Sequence, residues 1–139
     1  MRSASSRSRC SIHRSTASRR QRNGLVDVAR TEAYGRKVAL LSYNCVGPEL
    51  CWAADDKPGC AYVNVRATDG GPSRPQATLR DIDPASLAAM ETDIAAARVA
   101  ADGVIVALHK GVTHSPATLA AYERPLAQAA IRAGADAVA

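Results

Sequence analysis

The stretch Asp102-Gly103-Val104-Ile105-Val106-Ala107-Leu108-His109-Lys110-Gly111 decides the fold. Val104 to Leu108 is an unbroken apolar run, which reads as a buried strand. Such a run predicts cover on both faces, and so a central place in a parallel sheet. Gly111 lets the chain turn away or lets two backbones approach closely. His109 then stands at the carboxyl end of a central strand, where open α/β sheets gather ligands. An imidazole there can take a metal ion or a phosphate oxygen. The plain alternative is a histidine satisfied by a nearby backbone carbonyl. His114, in the loop that follows, can approach the same crevice or simply face water. Lys110 can face a phosphate or point to solvent.

Working outward from this strand, the preceding segment reads as a helix. Asp83-Pro84 supplies a capping residue and a proline at the first helical position. Leu87, Met90, Ile94, Ala97 and Ala101 share one face, and Gly103 ends the helix. Downstream, Ser115-Pro116 is a second capping pair. Pro125 argues against one unbroken helix over 116–133, so a short turn is expected first. The main helix then starts near Tyr122, with Pro125 in its first turn. Leu126, Ala129, Ala130 and Ala133 give it an apolar side, and Gly134 stops it. Asp136 to Ala139 opens a further strand, which reads as cut short.

Toward the amino terminus, residues 37–44 read as another strand, with the continuous apolar run Val38–Leu41. Gly47-Pro48 breaks it. Residues 47–60 read as a loop with Trp52 as its one large anchor and Pro58-Gly59 as a turn. Ala61–Val65 alternates as a short strand would, and Asp69-Gly70-Gly71-Pro72 is a loop. The order is strand, long loop, helix, strand, helix, strand start. That is an α/β pattern with a partly parallel sheet.

The net charge of +5 is concentrated at one end. Seven arginines, Arg2, Arg7, Arg9, Arg14, Arg19, Arg20 and Arg22, precede the first acid, Asp27. Residues 1–34 read as a disordered Arg/Ser-rich tail, and residues 35–139 as a partial α/β domain. The tail lacks an apolar core region, so it is not a secretory signal. No run is long and apolar enough to span a membrane, so a cytoplasmic location is expected. Residues 1–24 could also be an arm for nucleic acid, but they carry no aromatic residue for base stacking. A transit peptide and a stretch from a shifted frame are the other readings. With no Phe and a single Trp in 139 residues, the core must be built from Ala, Val, Leu and Ile.

Four cysteines, Cys10, Cys45, Cys51 and Cys60, form no C-x-x-C pair. Without an export signal they read as reduced thiols rather than a disulfide framework. Their spacing offers no close ligand pair of the kind a structural zinc site uses. Phosphate-binding glycine loops, nucleophile elbows and H-E-x-x-H are all absent.

Residues Asp102–Gly111 resemble the strand of the CapA family that ends in a His-Trp-Gly or His-Lys-Gly motif. Tyr122 to Asp136 resembles that family's next helix. The Gly35–Tyr43 strand and the Lys57-Pro58-Gly59 turn also fit, so the likeness covers roughly residues 35–139. The resemblance implies a bacterial poly-γ-glutamate capsule synthesis protein with a metallophosphatase-like α/β/β/α sandwich. Here it implies a partial sandwich with an incomplete sheet. It implies a divalent metal in the intact protein, with His109 as a metal ligand and His114 as a second candidate. It implies the capsule polymer or its precursor as partner. The family's early Asp and Asn-His segments have no counterpart here, and its late histidine motif would fall after Ala139. A metal is therefore not expected to bind this chain tightly, nor the chain alone to be active. An incomplete sheet leads us to expect self-association. The competing reading is a small non-catalytic basic protein that holds nucleic acid through its Arg-rich arm.

Overall fold

The computed structural model describes residues 29–33, 35–54, 57, 59–71, 77–112 and 118–139. In chain order the strands and helices are β1 (Ala29–Ala33), β2 (Arg36–Asn44), β3 (Val65–Ala67), β4 (Leu79–Ile82), α1 (Pro84–Ala100), β5 (Gly103–His109), α2 (Glu123–Arg132) and β6 (Ala137–Val138). A four-stranded sheet has the order β1-β2-β5-β6, and β3 and β4 form a separate antiparallel ribbon. β1 runs antiparallel to β2, whereas β2, β5 and β6 are parallel. The fold is mixed α/β with a partly parallel sheet and two helices.

β1 corrects the boundary of the tail. It lies inside the 1–34 stretch read as disordered, because the outer edge of β2 offers backbone groups that the chain just before it can pair with. The rest of that reading, residues 1–28 and Tyr34, lies outside the described residues.

The expectation of cover on both faces is also corrected. Along β5, Val104, Val106 and Leu108 are buried, while Ile105 is half-buried and Ala107 exposed. Along β2, Ala39, Leu41 and Tyr43 are buried, but Leu40 is 39% exposed and Ser42 is exposed. Topology explains this. Parallel crossovers are right-handed. From β2 to β5 and from β5 to β6 the chain steps in the same direction across the sheet, so both crossover helices fall on one side. The buried faces of α1 (Met90, Ile94, Ala97) and α2 (Leu126, Ala129, Ala130) accordingly join one core with the odd-numbered residues of β2 and the even-numbered residues of β5. The opposite face is free of helices among the described residues.

Local signals place the helices as read, except that α1 ends at Ala100, where Ala101 turns extended, and Gly103 opens β5 rather than ending the helix. Asp83 caps α1 by accepting a hydrogen bond from the Ser86 N–H at 2.9 Å. Ser86 also accepts from the Asn64 N–H at 3.0 Å, which ties the helix start to the head of β3. Pro125 is the third residue of α2, where its missing N–H costs nothing. At the other end, the Gly134 N–H reaches the Ile131 carbonyl at 3.0 Å and the Ala135 N–H reaches Ala130 at 3.1 Å. This closes the helix in a Schellman arrangement that needs the positive φ of Gly134.

The long loop is more structured than expected. Trp52 stacks on Tyr62 with ring centroids 4.1 Å apart and planes 10° apart. The reversal closes between Ala54 and Lys57, which exchange backbone hydrogen bonds of 2.9 and 3.2 Å, so it comes before the expected Pro58-Gly59 position. Gly59 serves a different end. A Cβ there would lie 2.5 Å from backbone atoms of Trp52 and Ala53, so only glycine lets the two limbs of the loop meet. The expected strand over 61–65 is displaced. Ala61 and Val63 bond to Asn44 of β2 at an isolated bridge, and the regular strand begins only at Val65.

Candidate functional site

The parallel register of β2 and β5 sets Leu40 beside Ile105, Ser42 beside Ala107 and Asn44 beside His109. Side chains alternate along strands, so these residues share the face that the helices leave open. His109 is thus at the carboxyl end of β5, exposed, and on the open face next to Asn44. Among the described strands the order β2-β5-β6 does not reverse direction, so no topological switch point lies beside His109 there. The His109 carbonyl accepts from the Cys45 N–H at 2.9 Å, which pins the ends of the two strands together. The Asn44 side chain accepts from the Val46 N–H at 3.0 Å and so shapes the exit of β2.

Lys110 and Gly111 take structural roles. The Lys110 ammonium donates to Glu123 Oε2 at 2.7 Å, which holds this partly exposed side chain against the start of α2. Glu123, 4% exposed, also accepts from the Ala120 N–H at 2.9 Å. Burial opposes its ionisation. The Lys110 hydrogen bond, the Ala120 N–H and the Lys110 charge outweigh that and hold its carboxyl below the usual glutamate range. The Tyr122 hydroxyl accepts from the Gly111 N–H at 2.8 Å and donates to the Gly111 carbonyl at 3.3 Å. Together these contacts clamp the segment after His109 onto the start of α2.

Sequence reasoning missed Glu123, Tyr122 and Asn44. A buried glutamate is hard to foresee, since acids are mostly exposed unless paired. The available signal was a lysine one residue past the strand and an acid in the first turn of the next helix. His114 lies within residues 113–117, outside those described. Among the described residues, no three of His, Cys, Asp and Glu come together as a metal-ligand group. His109 is the one histidine among the described residues, and a resident metal ion calls for several ligands.

Cys45, Cys51 and Cys60 are free thiols. Burial pushes the Cys45 thiol up to about 12, with the Glu123 charge adding to the rise and Lys110 opposing it. Thiolate is the reactive form, so alkylation at pH 8 should slow at Cys45 on the order of a thousandfold against a free thiol. Iodoacetamide labelling read by peptide mass spectrometry should modify exposed Cys51 first and Cys45 only on unfolding. Early labelling of Cys45 would contradict its burial.

No described helix is long and apolar enough to cross a membrane. A search of the curated proteins finds no match. A family model described as "Bacterial capsule synthesis protein PGA_cap" matches residues 17–139, most of the chain. The match includes β1 and every later element, the strand ending in His109 and the helix carrying Glu123 among them. The chain belongs to this family of bacterial capsule synthesis proteins.

Proposed function

We propose that this chain contributes one wall of a metal-dependent, phosphoesterase-like site in poly-γ-glutamate capsule synthesis, and that it does not form that site by itself. The observation that carries the reading is the placement of His109. It is exposed at the carboxyl end of a parallel strand, on the face without helices, with its following segment clamped by Lys110–Glu123 and Tyr122–Gly111. An exposed imidazole on a strand end whose backbone is held this firmly is suited to be one ligand among several supplied from another layer. The same open face, with Val38, Leu40, Ile105 and Ala107, is what a sandwich with a second sheet would cover. The intact protein would then act on the capsule polymer or its precursor.

Calorimetry with manganese or zinc, together with hydrolysis of p-nitrophenyl phosphate, tests this. The expected result is no stoichiometric site tighter than about 0.1 mM and no turnover, since a single imidazole cannot hold two bridging metals. Micromolar binding abolished by His109→Ala, or metal-dependent turnover, would show that the chain forms the site unaided.

A further inference from the structure

Two cysteines, Cys51 and Cys60, stand at the two ends of the closed loop that follows β2. The Cys60 N–H donates to the Cys51 carbonyl at 2.9 Å, and the Cys60 thiol donates to the same oxygen at 3.1 Å. With standard bond lengths, the first contact alone keeps the two Cα atoms within about 6.8 Å, inside the span that a disulfide bridges. The Asn44 side-chain amide donates to the Cys60 sulfur at 3.8 Å, so this thiol is held beside the Cys51 peptide. Inside the loop, Ala54 and Lys57 exchange backbone hydrogen bonds, and the Lys57 ammonium donates to the Leu50 carbonyl at 2.7 Å. The loop is therefore closed before any covalent link forms. Cys51 is exposed and Cys60 half-buried, so a small oxidant reaches the pair, whereas Cys45 is buried.

We propose that Cys51 and Cys60 are a reversible redox pair, joined as a disulfide by exchange with a small-molecule disulfide of the glutathione class. The exposed Cys51 thiol gives its proton to water, and its thiolate attacks one sulfur of the oxidant. An S–S bond forms to Cys51, the oxidant's own S–S bond breaks, and one small thiolate leaves and takes up a proton. Cys60 then turns its sulfur from the Cys51 carbonyl, loses its proton and attacks the Cys51 sulfur, expelling the second small thiol. The two cysteines together lose two electrons and two protons, and the oxidant gains both. The link spans a gap that the backbone has already closed, so it forms without parting the loop. It fixes the limb that carries Trp52 against the one that carries Tyr62, on which Trp52 stacks. No metal or phosphate enters this chemistry, so it stands apart from the His109 reading.

The test incubates the folded full chain with oxidised glutathione and blocks the remaining thiols with iodoacetamide. Cleavage at Asp55 and tandem mass spectrometry then map the pairing. The Cys51–Cys60 link should exceed every other pairing by at least about tenfold, and dithiothreitol should reverse it. The same chain unfolded in urea should instead give a mixture of pairings that includes Cys10 and Cys45. Cys60→Ser, shown folded by circular dichroism, should stop at a mixed disulfide between Cys51 and glutathione. The linked parent should melt at least about 5 °C above the reduced one. A folded chain with the pairings of the unfolded one, glutathione retained on Cys51 while Cys60 is still alkylated, or links formed mainly between molecules would overturn the proposal. So would a linked chain that melts below the reduced one, since the pair would then be strained.

Discussion

Replacing Gly59 by alanine should destabilise the chain by about 3 kcal/mol, read as a lowered urea midpoint at unchanged slope. The added methyl would lie 2.5 Å from the Trp52 carbonyl carbon and the Ala53 nitrogen, and 2.6 Å from the Trp52 carbonyl oxygen. These are backbone atoms, which cannot swing aside as a side-chain end would. The loop must instead part, breaking the Ala53–Cys60 and Cys60–Cys51 backbone hydrogen bonds of 3.0 and 2.9 Å. Trp52 is carried by the same limb, so its stacking on Tyr62 should loosen and its emission should shift toward that of the unfolded chain. A Gly59→Ala variant with the parent's midpoint and emission would mean that the two limbs of the loop are not in contact.

The second large effect concerns the Lys110–Glu123 pair, and it is asymmetric. Lys110 is about a third exposed, and Glu123 has a side chain 5% exposed. Lys110→Met leaves a buried carboxylate with only the Ala120 N–H as partner, and should cost about 2–3 kcal/mol at pH 7. Glu123→Gln keeps an acceptor for that N–H and leaves a lysine that can reach water, so its cost should be smaller. The pH dependence separates pair loss from a general packing defect. The folded-state pKa of Glu123 lies below its unfolded value. The pair's contribution is therefore fully present above the ordinary glutamate pKa and fades as pH falls through the lower folded value. The parent should lose this part of its stability in that acid range, while Lys110→Met should lose less there. Parallel stability–pH curves for the two proteins would contradict the pairing.

Helix positions were legible because their signals are local. Asp83-Pro84, the 87-90-94-97 apolar spacing, Pro125 and Gly134 each act within a turn or two, and each acts as read. Strand existence was legible for β2 and β5 for the same reason. Cover on both faces was not, because it depends on the direction in which successive crossovers step across the sheet. An apolar run such as Val104–Leu108 looks the same whether its second face meets a helix, another sheet or water. β4 was missed since Leu79–Ile82 is short, half polar and paired only with its own ribbon partner. At the site, His109 and its strand end could be read from the sequence, but its facing could not. The partners of Lys110 and Gly111, thirteen and eleven residues downstream, depend on how α2 docks.

His109 stands exposed on the open face at the end of β5, and under the proposed function it is a metal ligand that this chain supplies. Of the chain's three histidines, His13, His109 and His114, each gives its own imidazole signals in a proton–nitrogen NMR spectrum. Titration with manganese at about millimolar concentration should broaden the His109 signals, since a single imidazole binds such ions weakly. His109→Ala should remove that effect and leave the fold intact. Sharp His109 signals throughout the titration, or saturation at micromolar metal, would contradict the claim, the first by denying His109 a metal role and the second by showing a complete site.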